Sequence, residues 1–154
     1  MVAESGARML DDTSYDRLRT PRALRAVAAV YVSVTVAVPL CWILGGSIVG
    51  VLAVFGVVGV YLWLRVAVRS AADLPDHVLD ERMRRDRDSV YVDAFRLVAI
   101  VVFLGANAAL LPVAFSDRAT IEFGYEEVSA VYWTVFALLL GAPSLVLAVR
   151  QSRR

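Results

Sequence analysis

The chain has 154 residues, of which 59% are hydrophobic and 20% are charged, and its formal net charge is +1. The mean hydropathy of +0.65 lies above the usual range of soluble domains, so the composition excludes an ordinary soluble globular protein. All sixteen basic residues are arginine, and their charge is balanced by fifteen acidic residues, so we expect no nucleic-acid partner.

The amino-terminal segment, residues 1–20, is predicted to be a cytoplasmic tail. A cleaved signal peptide would have an apolar run of about 7–15 residues, and the run that follows this tail is longer. Thr20 and Pro21 predict the start of a helix, because threonine caps the first turn and proline suits its first position.

Residues 21–154 are predicted to form an all-α integral membrane bundle of four transmembrane helices in two hairpins. One span needs about 20 apolar residues to cross roughly 30 Å of hydrocarbon. No charged residue lies between Ala26 and Leu64, and Gly45, Gly46 and Ser47 interrupt this long run with a predicted turn. We place the four spans at residues 23–44, 48–68, 95–115 and 128–149.

The positions of the arginines predict the orientation of these spans. Fifteen of the sixteen lie in the two terminal segments or in the segment between the second and third spans. Short loops rich in arginine stay in the cytoplasm. We therefore expect a multi-pass protein of the bacterial inner (plasma) membrane with both termini in the cytoplasm. The use of arginine without lysine, with abundant Ala and Val, indicates a GC-rich bacterial genome.

Small and polar residues within the predicted spans indicate close packing between helices. Glycines spaced along one face of a membrane helix let two backbones approach each other. Asn107 is expected to donate a hydrogen bond across helices, worth about 0.6–2 kcal/mol, although it also suits a polar path through the membrane. The candidate packing residues are Gly46, Gly50, Gly56, Gly105 and Asn107.

Between the second and third spans, residues 75–94 are predicted to form a charged cytoplasmic helix that runs on into the third span. Apolar residues recur at spacings of four and seven, which is typical of one helix face. Acidic and basic residues four apart, such as Glu81 and Arg85, support the same helix. The apolar residues of this face are Leu79, Met83, Val90, Ala94 and Val98.

Three interpretations of this helix remain open at the level of sequence. It is a solvated helix beside the membrane, a docking surface for a partner, or a cation site formed by Asp76, Asp80 and Glu81. Arg84 and Arg85 compete for the same carboxylates, which disfavours the cation site. The candidate partner-binding or structural residues are Asp76, Asp80, Glu81, Arg82, Arg85 and Tyr91.

The motif L-P-D-x-x-L-D-E-R at residues 74–82 is followed by Arg85, Arg87, Asp88, Tyr91 and Ala94. It resembles a group of uncharacterised multi-span membrane proteins of actinobacteria, a domain of unknown function. The resemblance covers about 25 residues, and Met83 stands where that group usually has glutamine. It implies a location in the cell membrane and brings no activity with it.

The sequence contains no recognisable catalytic constellation. Cys41 and His77 are the only cysteine and histidine, so an internal disulfide or a zinc site is not expected. The predicted spans also lack the buried carboxylate that a proton-coupled exporter needs. We expect a non-enzymatic membrane protein without a cofactor. It would contact the lipid bilayer and bind another membrane or cytoplasmic protein through the Asp-Glu-Arg helix. The alternative is a small transporter or channel subunit that forms a homo-oligomer along its glycine faces.

Overall fold

The computed structural model of the chain describes residues 20–68, 81–114 and 122–153. Within these residues there are three helices and no strand: α1 is Pro21–Ala67, α2 is Glu81–Ala114 and α3 is Tyr125–Gln151. Each helix is long and apolar enough to cross a membrane. These helices indicate an all-α membrane protein.

The prediction of four transmembrane helices is wrong, because the described residues form three helices. The residues predicted as the first two spans belong to one 47-residue helix, α1. Inside α1 only Gly46 has non-helical backbone angles, with φ 71° and ψ −175°. A glycine reaches positive φ at little cost. The turn predicted at residues 45–47 is therefore a bend at the single residue Gly46, and its positive φ agrees with the prediction.

The two parts of α1 on either side of Gly46 contact each other. Gly50 lies directly against the indole ring of Trp42, and a Cβ added at Gly56 would lie 3.9 Å from Cγ1 of Val34. The second part of α1 therefore folds back along the first and packs against it.

The predicted charged helix and the predicted third span also form one helix, α2, which begins its described part at Glu81. At the start of α1 the predicted cap is confirmed. The hydroxyl of Thr20 accepts a hydrogen bond from the backbone N–H of Ala23 at 3.2 Å, and Pro21 occupies the first turn.

The core lies between α1 and α3. Large side chains of α1, including Tyr31 and Trp42, are buried to 1% exposure. They share one apolar cluster with small residues of α3, because small side chains let the helices approach closely. The α3 members of this cluster are Ala130, Ala137 and Ala148.

A second and smaller cluster joins α2 to α3. Ala94 and Val98 of α2 pack with Ala142 of α3, and Leu138 and Val146 flank them. Helices α1 and α2 thus both pack on α3, and their main contacts are with α3 rather than with each other.

Candidate functional site at the arginine-rich end

The two ends of the described chain meet at one end of the bundle. Nη2 of Arg25, in the second turn of α1, donates a hydrogen bond of 2.9 Å to the carbonyl oxygen of Ser152. Ser152 directly follows the last residue of α3 and is itself buried. The amino-terminal end of α1 and the carboxyl-terminal end of α3 are therefore neighbours.

Arg150 connects the same end of α3 to α2. Its guanidinium donates to the Ser89 hydroxyl at 2.6 Å and forms an ion pair with the Asp93 carboxylate. Both side chains of this ion pair are partly exposed, at 34% for Arg150 and 44% for Asp93. A cation in the last turn of a helix is also favoured by the helix dipole. We call this group of three residues, Ser89, Asp93 and Arg150, the clamp.

Sequence reasoning missed the clamp, because it counted Arg150 only as a positive charge beside a span. The usable signal was the spacing of Ser89 and Asp93. They are four residues apart and so share one face of α2. That face borders the apolar positions Val90 and Ala94, which are both buried, and Ala94 packs against α3.

Residues 81–88, which precede the clamp in the chain, form the charged segment of α2. Glu81 and Arg85 make the predicted pair four residues apart, with Oε1 and Nη2 separated by 2.6 Å. Their side chains are 82% and 79% exposed, and Arg82 is exposed as well. Tyr91 is 44% exposed. Asp76 and Asp80 lie outside the described residues.

The apolar stripe of α2 is buried over only part of its length. Val90, Ala94 and Val98 are between 1% and 7% exposed, whereas Met83 is 46% exposed. The boundary falls at the clamp. Residues 81–85 are exposed, whereas the side chain of Arg87 is only 17% exposed. The charged segment is therefore an extension with one exposed face, on a helix that is fastened to the bundle from Ser89 onward.

The five candidate packing residues have different surroundings. A Cβ at Gly50 would overlap the Trp42 ring, so this position needs glycine for close approach. Gly46 has no neighbour within 4 Å of an added Cβ and is needed for its positive φ. The same open space surrounds Gly105. Asn107 donates to the Phe103 carbonyl at 2.8 Å within α2, so the hydrogen bond is not the cross-helix one expected.

One close contact between α1 and α3 involves residues that sequence reasoning did not pair. The hydroxyl of Tyr31 donates to the backbone carbonyl of Ala137 at 2.5 Å. A Cβ added at Gly141 would overlap that hydroxyl and the tyrosine ring. Ala137 and Gly141 are four apart, a small-xxx-small spacing that marks close helix contact in membranes.

The described residues contain no group of three or more His, Cys, Asp and Glu side chains that could hold a metal ion. Comparison of the chain with family models, with curated proteins and with solved structures gave no match. The resemblance of residues 74–96 to actinobacterial membrane proteins therefore stays a prediction.

Proposed function

We propose that this protein is a non-enzymatic membrane component that binds a partner protein through the charged segment of α2, residues 81–88. One observation carries the proposal. The segment is a helical extension whose residues 81–85 are exposed, and the clamp fastens the helix to the bundle directly behind it. A helix held in place at its base loses less conformational freedom on binding than a free segment does.

The chemistry of the segment suits a partner with alternating charge. Four arginines and three acidic residues follow one another within eight positions, and Glu81 and Arg85 hold each other in an ion pair. Charges at the rim of a contact set partner choice and association rate more than affinity. We therefore expect partner binding to depend on the sign of the charge at each position of the segment. We also expect the binding to weaken as salt is added.

We also infer that the arginine-rich end of the bundle faces the cytoplasm of a bacterial cell. Arg25, Arg150 and Arg153 all belong to this end, and the hydrogen bond from Arg25 to Ser152 joins the start of α1 to the end of α3. Segments rich in arginine stay on the cytoplasmic side during insertion. A soluble partner would then reach the charged segment from the cytoplasm.

Labelling of single cysteines with a membrane-impermeant reagent tests this orientation. In a Cys41→Ala background, Ser47→Cys at the Gly46 bend should react in intact cells, whereas Arg153→Cys should react only after lysis. Both positions are exposed. Ser152 would be a poor choice, because its burial would block labelling on either side. Reaction of Arg153→Cys in intact cells would overturn the orientation.

Photo-crosslinking tests partner binding directly. A photoreactive amino acid replaces Arg82 in one variant and Arg96 in the other. Arg96 is also exposed and lies on α2, but it follows the clamp in the chain and so lies outside the charged segment. We expect one discrete crosslinked species, identified by mass spectrometry, from position 82 and none of that mass from position 96.

A charge exchange supplies the matched control. The double variant Glu81→Arg with Arg85→Glu keeps an ion pair on the helix but reverses the signs that a partner meets. This exchange should abolish the crosslinked species at position 82 while the protein accumulates normally. Equal crosslinking with and without the exchange would contradict the proposal. A species of two copies of this chain would favour the alternative of an oligomeric transporter or channel, for which the open space at Gly105 offers a contact face.

A further inference from the structure

An open groove lies at the arginine-rich end, between α1 and α2, with α3 as its floor. It forms because both helices pack on α3 and leave a gap between themselves. Its volume is about 850 Å³, within the range of about 300–1,000 Å³ that is typical of small-molecule sites. Six of its lining residues are Arg25, Val32, Leu97, Val149, Arg150 and Arg153.

The mouth of the groove is positively charged. Its described lining includes Arg25, Arg150 and Arg153 and one acidic residue, Asp93, so that three positive charges face one negative charge within this part of the chain. The ion pair of the clamp already satisfies Arg150 and Asp93. Arg25 donates to the Ser152 carbonyl, and a guanidinium has five N–H donors in all. Arg153 is exposed. Among the described side chains that line the groove, these two arginines carry the positive charge in excess of the clamp.

The walls of the groove are apolar and run toward the middle of the bundle. Val32 lies seven residues beyond Arg25 on α1, a distance of about 10 Å along a helix. Val32 and Val149 are 46% and 36% exposed, and Leu97 completes the wall from α2. A charged mouth therefore continues into an apolar channel that runs parallel to the helices.

We propose that this groove binds an anionic phospholipid of the surrounding bilayer. The phosphate diester lies between Arg25 and Arg153, and one acyl chain lies along Val32, Leu97 and Val149. Arginine suits the phosphate because its planar guanidinium donates two parallel hydrogen bonds to two oxygens. Basic pockets between membrane helices are recognised sites for anionic head groups. A zwitterionic lipid would bring its own ammonium group against the remaining positive charge, which disfavours it.

The proposal depends on the membrane location of the bundle and not on partner binding by residues 81–88, so either can fail alone. The test is native mass spectrometry of the full chain in detergent, with phosphatidylglycerol or phosphatidylcholine of identical acyl chains added. We expect phosphatidylglycerol to be retained at least about tenfold more strongly, since each arginine near an anionic lipid surface contributes roughly a fivefold preference and two arginines act here.

Two groove variants and one matched control make the test specific. Arg25→Gln with Arg153→Gln should lower retention of phosphatidylglycerol to the level of phosphatidylcholine. Arg85→Gln with Arg96→Gln removes the same charge outside the groove and should leave the preference intact. Val32→Trp fills the apolar wall without changing charge and should weaken retention of both lipids.

Three results would overturn the proposal. The first is equal retention of the two lipids by the unmodified chain. The second is an unchanged preference in the Arg25 and Arg153 double variant. The third is full displacement of phosphatidylglycerol by an equal concentration of inorganic phosphate, which would show that the apolar wall contributes nothing. Because Val32→Trp keeps every arginine, its reduced retention would support the groove even if the Arg25 variant failed to fold.

Discussion

Helix α3 is held by its two neighbours in different ways. Against α1 the contact extends from Ala130 near its start to Ala148 near its end, with bulky α1 side chains set against small α3 ones. Against α2 the apolar contact is short, and the clamp through Arg150 lies beside it. The first interface depends on shape along its whole length, whereas the second depends on a few apolar contacts and one polar connection at a single end.

This difference has a consequence for the rest of α2. Beyond Val98 the side chains at positions 100–104 are all at least 40% exposed, including Phe103 at 66%. In lipid such exposure is not costly, because acyl chains are as apolar as the side chains. The apolar attraction that would draw α2 onto α3 in water is therefore absent, and specific contacts decide where the two helices meet.

The largest expected effect comes from the α1–α3 interface. Gly141→Ala should destabilise the protein by about 1–3 kcal/mol, because the new Cβ overlaps the buried Tyr31 side chain. Gly59→Ala is the matched control. No atom lies within 4 Å of its added Cβ, so the alanine should stabilise α1 by up to about 1 kcal/mol. Thermal unfolding in detergent should therefore shift in opposite directions, and a parallel shift would refute the assigned packing.

A smaller effect is expected at the clamp. In a double-mutant cycle, Arg150→Ala and Asp93→Ala should show a coupling of about 1 kcal/mol, the upper end for ion pairs with this much solvent exposure. The control is a second double-mutant cycle, which combines Arg96→Ala with Asp93→Ala. Arg96 is 72% exposed and lies 4.0 Å from the Asp93 carboxylate, so its coupling should be close to zero. Equal couplings in the two cycles would show that Arg150 does not fasten α2 to α3.

The sequence predicted the helical character of the chain well and its division into elements less well. Gly45 and Gly46 marked the place where the chain turns, but a glycine pattern does not distinguish a loop from a bend of one residue inside a helix. The charged residues before position 89 predicted a cytoplasmic helix that runs on into the third span, and this prediction is confirmed for the described residues. In the structure their intrahelical pairs continue the same helix that later becomes apolar.

The candidate site was predictable in part, and the reason is the range of the interactions involved. The pair of Glu81 and Arg85 is local, so a spacing of four residues was enough to find it. The bond from Tyr31 to Ala137 joins residues 106 positions apart, and that from Arg150 to Ser89 joins residues 61 apart. The spacing of residues along one helix does not indicate which residues of another helix they will contact.

The smallest expected effect on stability is that of Glu81→Gln. This substitution distinguishes a role of Glu81 in the stability of the bundle from the partner binding proposed for the charged segment. Glu81→Gln removes one exposed ion pair and should lower the unfolding free energy by about 0.2–0.5 kcal/mol at most. Thermal unfolding in detergent should therefore be nearly unchanged. The same substitution should clearly reduce crosslinking from position 82, because a partner would meet a neutral side chain where it recognises a carboxylate. A loss of stability above about 1 kcal/mol would exceed what exposed pairs contribute. It would mean that Glu81 supports the fold itself, and that residues 81–88 belong to the bundle rather than to a surface left available for binding.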